Sequence, residues 1–404
     1  MFRDAEGRPR IVVTGTGLAS PLGTDVGTFW HRVTSGAIAT GPVTRFSTDS
    51  YPTHLAAEVS DDGLTAPQAP DGGTPRSLRY GLHAAEAALR EAKLLDHDCL
   101  RRTGVVLGTV MGTRPHVEEL RRLHRSVEAR AVWDAPSLLA VAPARRLGLG
   151  GPRQVVAAGC AAGNTAIATA ADCIRSGQAD AVVTGGVDEL SEAVFGLFTT
   201  LRALAPDEVR PFDRHRRGMM PSEGAGVVVL ESLEHAVRRG APVLAELSGY
   251  AVAADAHHMT APHPQGLGML RCMSESLAMA GLHARDVDYV SAHGTGTPAN
   301  DALEAACLED FFGARGGHPA VSSVKGMLGH SQGAASAFEA IICVLALQHD
   351  RVPGNPTLRD VDDGCAGLDL VEGSFRDMPV RAALSNAFGF GGNTSAIVLS
   401  RFSD

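Results

Sequence analysis

Three residues of the chain could together carry out nucleophilic chemistry on a carbonyl group: Cys160, His293 and His330. Cys160 ends an apolar stretch directly before a segment with helical spacing, so the positive end of that helix would face its sulfur. This position favours the thiolate, the nucleophilic form of cysteine. Each histidine lies at a predicted strand end, in a Gly-rich turn of the other half of the chain. Taken singly, such residues are more often structural, but their combination favours one site that handles thioesters.

Two other motifs fit their chemistry less well. Residues 14–23 resemble a dinucleotide-binding loop, but they lack both the G-x-G-x-x-G spacing and an acidic residue about 20 positions on. Residues 329–333 match the G-x-S-x-G nucleophile elbow around Ser331. An elbow requires its serine directly after a strand, and here residues 325–328 intervene. We therefore favour Cys160 as the nucleophile.

The remaining cysteines and histidines favour structural roles. Seven cysteines without C-x-x-C spacing indicate reduced thiols rather than a disulfide framework. Three histidines close together match no established zinc spacing, so we expect no metal site. These histidines are His257, His258 and His263.

The elements that must position Cys160 and the two histidines follow an α/β pattern. Apolar runs bounded by glycine predict buried strands, and amphipathic segments predict helices at 77–95 and 164–178. The predicted strands are 11–20, 104–110, 153–159, 180–186, 224–231, 243–252, 285–294, 319–326, 381–390 and 393–402. The last two flank a Gly-Gly turn and should pair antiparallel, while the alternation elsewhere predicts a largely parallel sheet.

The pattern divides the chain into two similar halves, 1–241 and 242–404. The break follows a polar helix at 232–240 and the dipeptide Ala241-Pro242. Cys160 would lie in the first half and both histidines in the second. We therefore expect an internal duplication with the site between the halves.

Length and charge exclude several classes of protein. A chain of 404 residues with 44% hydrophobic and 20% charged residues is globular rather than disordered. Its net charge of −9 argues against nucleic acid as a partner. No window approaches the roughly 18 uninterrupted apolar residues of a membrane span, and the N-terminus lacks the apolar core of a signal peptide. We expect a cytoplasmic protein without a membrane partner.

At these residues the sequence resembles the β-ketoacyl-acyl-carrier-protein synthases, condensing enzymes of the thiolase superfamily. It most resembles the elongating type II synthases and the ketosynthase subunits of type II polyketide systems. The motifs are AAGCAAG around Cys160, HGTGTPAND from His293, VKGMLGH ending at His330 and NAFGFGG around Phe390. They occur in family order over almost the whole chain. The resemblance implies the thiolase fold, five layers α/β/α/β/α from two related halves.

The resemblance also implies a decarboxylative Claisen condensation by an acyltransferase. Cys160 would take an acyl group from an acyl carrier protein. His293 and His330 would bind the thioester carbonyl of a malonyl unit and stabilise the enolate, giving a 3-oxoacyl-acyl-carrier-protein. Lys325 and Glu339 match a lysine and a supporting glutamate of the family. Lys325 is one of only two lysines in an arginine-rich chain, which indicates that arginine cannot replace it.

Further site residues are implied by motif match alone. The backbone N–H groups of Cys160 and Phe390 would form an oxyanion hole, with Gly389 beside them, and Phe390 would also act as a gate. Asp255 and His258 match a second gating loop. The threonines that match those hydrogen-bonding the phosphopantetheine arm are Thr295 and Thr297.

The resemblance implies an acyl carrier protein as partner and a dimer, either of two copies or with a chain-length-factor-like homologue. No cofactor of its own is implied, because 4'-phosphopantetheine arrives on the carrier protein. Five arginines match positions at which relatives present basic residues to an acidic carrier. They are Arg76, Arg79, Arg214, Arg216 and Arg217.

Several alternatives stay open at this point. A chain-length-control subunit that does not condense would share the fold, although the joint presence of the cysteine and both histidines speaks against it. A degradative thiolase would need a second catalytic cysteine, and Cys365 lies in a polar loop away from the closing hairpin. The charged segment 113–134 matches the family poorly and would help to form the dimer interface and the far end of the acyl pocket. Chain length, starter unit and the choice between fatty-acid and polyketide synthesis therefore do not follow from the sequence.

Overall fold

The computed structural model of the chain describes residues 2–65, 74–95, 97–122 and 135–403. The strands are β1 (Ile11–Ala19), β2 (Gly41–Pro42), β3 (Leu55–Ala56), β4 (Thr103–Gly108), β5 (Arg153–Val156), β6 (Ala181–Asp188), β7 (Gly224–Ser232), β8 (Ala245–Ala254), β9 (Tyr289–Ser291), β10 (Ala320–Ser322), β11 (Arg351–Pro353), β12 (Asp369–Leu370), β13 (Phe375–Asp377), β14 (Ala382–Phe388) and β15 (Asn393–Ser400). The α-helices are α1 (Val26–Thr34), α2 (Arg76–Glu91), α3 (Arg114–Arg122), α4 (Leu138–Leu147), α5 (Ala162–Arg175), α6 (Glu192–Thr200), α7 (Leu233–Arg238), α8 (Leu267–Ala280), α9 (Pro298–Leu308), α10 (Lys325–Leu328) and α11 (Ala335–His349).

The largest sheet has eleven strands in the order β12-β10-β9-β14-β15-β8-β1-β7-β6-β4-β5. Strands β1 and β8 join its two halves through three residue pairs, from Ile11↔Leu247 to Val13↔Ala245. Helices α5 and α11 pack against strands of both halves, whereas α2 and α4 cover the N-terminal half and α8 the C-terminal half. Each half of the sheet forms one layer, with α5 and α11 between the two halves and the other helices outside them. The five layers are therefore helix, sheet, helix, sheet, helix, and the predicted fold class is confirmed.

Both halves of the sheet repeat one arrangement. Each half begins with two antiparallel strand pairs and continues with two parallel ones. The order is β1-β7-β6-β4-β5 in the N-terminal half and β8-β15-β14-β9-β10 in the C-terminal half. Helix α5 directly precedes β6, and α11 precedes β14, the strand at the same place in the C-terminal half, with β11, β12 and β13 between them. The division at residues 241 and 242 falls in the loop between α7 and β8 and stays a prediction.

The prediction of a largely parallel sheet is wrong, because half of the ten neighbouring strand pairs are antiparallel. Helices cover both faces of the sheet, so antiparallel strands such as β1 are buried at every residue and appear as apolar as parallel ones. The predicted hairpin is confirmed, with β14 and β15 paired from Phe388↔Thr394 to Ala382↔Ser400.

The glycines of the dinucleotide-like stretch 14–23 serve helix packing. A Cβ at Gly15 would lie 2.2 Å from the carbonyl oxygen of Ala88, and one at Gly17 would lie 2.1 Å from that of Ala84. Only residues without a side chain let α2 approach β1 this closely. Helix packing is therefore a sufficient reason for these glycines, and nucleotide binding is not needed to explain them.

The charged segment 113–134 and the expected lack of a membrane span can be compared with the structure only over the described residues. Of the charged segment 113–134, residues 114–122 form α3, and residues 123–134 lie outside the described residues. Among the described helices, none combines the length and the apolar character that a membrane crossing requires.

Candidate active site

Cys160 lies in the turn between β5 and α5, and two glycines let this turn meet the turn that carries Phe390. Gly159 has a φ of 56°, and a Cβ there would lie 3.2 Å from the carbonyl oxygen of Phe390. A Cβ at Gly389 would lie 2.8 Å from the backbone nitrogen of Cys160. The backbones on which an oxyanion hole would depend are therefore in close contact.

His293 follows β9, and helix α9 holds its backbone. The carboxylate of Glu304 accepts the backbone N–H groups of His293 and Gly294, both at 2.7 Å. Burial raises the pKa of Glu304 to about 7, while these two N–H groups act in the opposite direction. Asp301 similarly accepts the N–H groups of Phe212 and Gly296. The sequence analysis did not identify Asp301 or Glu304 as site residues. Their spacing of three residues, which places both on one face of a helix, is the pattern that could have indicated them.

Hydrogen bonds define the tautomers of the two histidines. Nδ1 of His330 accepts the backbone N–H of Gln332 at 3.2 Å. Nδ1 of His293 lies 3.4 Å from Nζ of Lys325, and an ammonium group can only donate. A neutral ring in either place therefore carries its proton on Nε2.

Both rings are neutral near pH 7. Burial lowers the pKa of His293 well below its usual range, the charge of Lys325 lowers it further, and a proton on His330 would do the same. Burial and the charge of Lys325 lower the pKa of His330 in the same way. Each ring is therefore a neutral hydrogen-bond donor through Nε2.

Lys325 and Glu339 form a buried ion pair behind His293. Their side chains are 2% and 1% exposed, and Nζ of Lys325 also donates to the carbonyl oxygen of His293 at 2.6 Å. Burial raises the pKa of Glu339 to about 7, and the ammonium of Lys325 opposes that rise. Glu339 thus holds the ammonium of Lys325 in place, and that ammonium lowers the pKa of both histidines.

The structure brings Cys160, His293 and His330 together. Their sulfur and ring-nitrogen atoms lie within 4.8 Å of one another. The two imidazole centroids are 5.4 Å apart with the rings at 83°. All three residues line one cavity of about 360 Å³.

The same three side chains could hold a metal ion, because cysteine and histidine are zinc ligands. The ammonium of Lys325 beside His293 disfavours a second cation there. The absence of a resident metal stays a prediction.

The thiolate expected at Cys160 is not favoured in this arrangement. Burial raises the pKa of the thiol to about 11, although the charge of Lys325 and the backbone N–H of Cys160 lower it. Burial therefore opposes the thiolate at Cys160.

Two loops at the mouth of the cavity are bonded to each other. Phe390 is 41% exposed, and its ring centroid lies 5.7 Å from that of Phe198. The N–H of Gly391 donates to the carbonyl oxygen of Met259 at 2.8 Å, and the N–H of Asp255 donates to that of Gly392 at 2.8 Å. A movement of the Phe390 turn would therefore pull on the loop that contains Asp255.

The other predicted mouth residues differ in position. Asp255 lines the cavity, and its carboxylate accepts the backbone N–H of His263 at 2.9 Å. His258 is exposed and does not line the cavity. Thr295 and Thr297 do line it, and their hydroxyl oxygens are 2.8 Å apart.

Three of the five predicted docking arginines are turned into the protein. Arg76, Arg79 and Arg216 have side chains 16%, 8% and 6% exposed. They pair with carboxylates: Arg76 with Glu119, Arg79 with Asp61, and Arg216 with Asp362. These three arginines are largely covered and already paired, so they do not fit the predicted rim of five exposed arginines.

Arg214 and Arg217 are the exposed members, with side chains 44% and 55% exposed. Arg217 lines the cavity. Arg202, which the sequence analysis missed, is also exposed and lines the cavity. It stands just beyond the end of α6 with a φ of 54°, and no sequence signal marks it.

The two alternative nucleophiles lie apart from the cavity wall. Ser331 is 1% exposed, and α10 separates it from strand β10, so it forms no elbow. Cys365 is fully buried in the core that packs around α8 and α9. Neither residue lines the cavity that contains Cys160.

Comparisons with known proteins agree with one another over almost the whole chain. Residues 8–236 match the N-terminal domain of β-ketoacyl synthases, and residues 244–359 match the C-terminal domain. A 3-oxoacyl-[acyl-carrier-protein] synthase 2 from Coxiella burnetii is 36% identical, over 98% of this chain and 99% of the relative.

Solved structures agree with these matches. The ishigamide ketosynthase/chain length factor superposes with a TM-score of 0.90 at 36% identity, over 98% of this chain and 100% of that one. A type II polyketide ketosynthase bound to the hexaketide, in complex with its acyl-carrier protein, superposes with a TM-score of 0.89 at 29% identity, with the same coverage.

Proposed function

The chain belongs to the β-ketoacyl synthase family, and we propose that it condenses an acyl group held on Cys160 with malonyl-acyl-carrier-protein. The products would be carbon dioxide and a 3-oxoacyl-acyl-carrier-protein, in fatty-acid or type II polyketide synthesis. The observation that carries the proposal is the meeting of Cys160, His293 and His330 within 4.8 Å on the wall of one cavity.

The first step transfers the acyl group. The sulfur of Cys160 attacks the carrier thioester, the carrier sulfur leaves, and the thiol proton goes to that departing sulfur. Burial raises the pKa of Cys160, which favours a thiol whose proton leaves in the course of the attack. The backbone N–H groups of Cys160 and Phe390 would stabilise the oxyanion, a role that their close approach through Gly389 supports.

The second step breaks the bond between malonyl carbon and carboxylate. Nε2–H groups of His293 and His330 donate to the thioester oxygen, which becomes the enolate oxygen as carbon dioxide leaves. The enolate carbon then attacks the Cys160 thioester, the carbon–sulfur bond breaks, and the sulfur regains a proton from water. This step requires each histidine to donate a hydrogen bond while it stays neutral. The lowered pKa values of both histidines favour that neutral form.

Lys325 and Glu339 act as positioning residues in this proposal. Lys325 binds the carbonyl oxygen of His293 and faces its Nδ1. It therefore fixes the tautomer that carries the proton on Nε2. The guanidinium group of an arginine is planar and larger than an ammonium group, so it could not replace the compact charge of Lys325 in this space.

The carrier protein would dock at the exposed basic mouth of the cavity. Arg202 and Arg217 line that mouth, and Arg214 is exposed in the same loop as Arg217. Arg217 is paired with Asp207, and Arg214 is paired with Asp360 and Asp363. Arg202 and these exposed pairs would still offer guanidinium donors to an acidic carrier and to the phosphate of its arm. Thr295 and Thr297 would hydrogen-bond the arm inside, so the protein would need no cofactor of its own.

Dimerisation and domain organisation complete the proposal. Strand β5 ends the sheet, and Arg153 and Gln154 on it are exposed. An unpaired edge of this kind can pair with a second copy or a homologous subunit. We place the division between the Cys160 half, 1–241, and the histidine half, 242–404.

A chain-length-control subunit is the alternative, since one similar structure is a ketosynthase/chain length factor. Such a subunit would need neither a nucleophile nor malonyl-binding histidines. The assembled Cys160, His293 and His330 therefore favour the condensing role, in either kind of dimer.

Intact mass spectrometry after incubation with acyl-carrier-protein thioesters tests the proposal. We expect one acyl adduct on the wild-type protein and none on Cys160→Ala. Cys99→Ala is the matched control, because Cys99 is also half-buried, and it should keep the adduct. A folded wild-type protein that forms no adduct, or an adduct that persists in Cys160→Ala, would contradict the condensing function.

A further inference from the structure

Asp188 is a fully buried carboxylate at the C-terminal end of β6 that binds the loop after His330. Its Oδ1 accepts the hydroxyl group of Thr109 at 2.7 Å and the backbone N–H of Met111 at 2.9 Å. Its Oδ2 accepts the backbone N–H of Gly333 at 2.8 Å. All of these donors are uncharged, and a buried charge is costly even when it is hydrogen-bonded. A role that only a carboxylate can fill would account for that cost.

Two hydrogen bonds connect Asp188 to the ring of His330. Gly333 binds the carboxylate, and the residue before it, Gln332, donates its backbone N–H to Nδ1 of His330 at 3.2 Å. Gln332 has a φ of 55°, in the left-handed region that is costly for a residue with a side chain. Such a conformation persists only where neighbouring contacts hold it. The bond from Gly333 to Asp188 is such a contact, one residue further along the chain.

The backbone of Gly333 fits closely against the ends of β4 and β6. A Cβ at Gly333 would lie 2.7 Å from Oδ2 of Asp188 and 2.9 Å from Cα of Thr109. A Cβ at Gly186 would lie 2.1 Å from the carbonyl oxygen of Gly333. The loop therefore reaches the carboxylate because neither glycine has a side chain.

The bond from Gln332 orients the ring of His330 rather than its backbone. The backbone N–H of His330 donates to the carbonyl oxygen of Met220 at 2.6 Å, and its carbonyl oxygen accepts the N–H of Ser222 at 3.1 Å. Neither of these bonds determines which ring nitrogen carries the proton. The N–H of Gln332 does, because Nδ1 can accept it only while that nitrogen is unprotonated. Without this bond the ring could carry its proton on Nδ1, and Nε2 would then no longer be a donor.

We propose that Asp188 is a positioning residue for decarboxylation, which holds the loop after His330 so that the ring keeps its donor proton on Nε2. This inference rests on the proposed function. The malonyl step needs that donor, whereas the attack of Cys160 on an acyl thioester depends on backbone N–H groups instead. Loss of the Asp188 carboxylate should therefore impair the malonyl step and spare the acylation.

Asp188→Asn tests the inference, because the amide has the same shape but cannot accept hydrogen bonds at both of its ends. Acetylation of Cys160 by acetyl-carrier protein and carbon dioxide release from malonyl-carrier protein are measured separately. We expect acetylation at the wild-type rate or faster, because the negative charge of Asp188 raises the pKa of Cys160. Carbon dioxide release should fall at least about tenfold, the effect of one lost hydrogen bond to a charged group.

Thr109→Val is the matched control, because it removes another donor to the same carboxylate and leaves the bond from Gly333 in place. It should release carbon dioxide at the wild-type rate. Gly333→Ala disturbs the contact from the other side, since its methyl group would displace the loop from Oδ2 of Asp188. It should reproduce the slow release, and it repeats the test if Asp188→Asn does not fold.

Nitrogen NMR of protein labelled in histidine measures the state of the ring directly. The His330 signals are those that disappear in His330→Ala. We expect an unprotonated Nδ1 in the wild type and a protonated fraction at Nδ1 in Asp188→Asn, a change that a general loss of stability would not produce.

A folded Asp188→Asn protein with wild-type carbon dioxide release, or with an unchanged His330 tautomer, overturns the inference. Release by Thr109→Val that is as slow as in Asp188→Asn overturns it as well, because the carboxylate would then act through β4 rather than through Gly333. These results leave the proposed function intact, since the wild-type protein still condenses. A wild-type protein that releases no carbon dioxide would instead contradict the proposed function.

Discussion

At the scale of single residues, the reactivity of Cys160 depends on two opposing effects. Burial raises its pKa to about 11, and the nearby ammonium of Lys325 lowers it by less. Only the thiolate reacts with an alkylating reagent. The free thiol should therefore react slowly with such a reagent near pH 7.

This balance predicts the pH dependence of alkylation. The rate at which iodoacetamide modifies Cys160 should rise about tenfold for each pH unit between 7 and 9, because the thiolate fraction does so below the pKa. Peptide mass spectrometry on briefly treated protein measures the rate at this one cysteine. A rate that is already constant above pH 7 would show that the helix start and the histidines lower the pKa after all.

At the scale of elements, the site depends on turns that touch each other. The turn of Cys160 follows β5, the turn of Phe390 follows β14, and Gly389 is the point of contact. A methyl group at Gly389 would need space only 2.8 Å from the backbone nitrogen of Cys160. The two turns would have to separate.

Gly389→Ala should therefore slow acylation of Cys160 by about a hundredfold, the effect of a displacement of about 1 Å in an active site. The thermal unfolding curve and the adduct rate, measured on the same preparation, distinguish a local effect from unfolding. Gly41→Ala is the control, since a Cβ at Gly41 would have nothing within 4 Å. Wild-type acylation by a folded Gly389→Ala protein would contradict the contact.

Much of the element plan was predictable from sequence, because buried strands and amphipathic helices leave strong patterns. The position of α5 directly after Cys160 and the β14–β15 hairpin are examples. Strand direction was not predictable, because helices on both faces make all strands equally apolar. The covering of Arg76 could not be predicted either, since two of its three acidic partners, Glu189 and Glu223, are over 110 residues away in sequence.

At the scale of the whole molecule, β5 is the last strand of the eleven-stranded sheet, and no other strand in the described part of the chain pairs with its outer edge. The carbonyl oxygens of Pro152 and Val156 accept N–H groups of Val105 and Thr109 beside them. The alternation of a strand then directs the N–H of Val155 to the open edge. A second subunit could use that group.

Val155→Pro should therefore leave the chain folded and convert a dimer into monomers. Proline removes an outward N–H at an edge strand, where it is tolerated, and keeps an apolar ring in place of the partly buried valine side chain. Light scattering after gel filtration measures the mass, and circular dichroism checks the fold. A variant that stays dimeric with wild-type affinity would exclude pairing through this edge.

The condensation itself tests the central claim most directly. Wild-type protein already acylated on Cys160 is mixed with malonyl-acyl-carrier-protein, and carbon dioxide and the mass of the carrier product are measured together. We predict one 3-oxoacyl-carrier for each carbon dioxide released. His293→Ala and His330→Ala should still accept the acyl group but release carbon dioxide at least about a hundredfold more slowly, because each loses an enolate donor. His318→Ala, at an exposed histidine, should behave as wild type. Undiminished carbon dioxide release by either histidine variant, or a wild-type protein that leaves malonyl-carrier unchanged, would contradict the account.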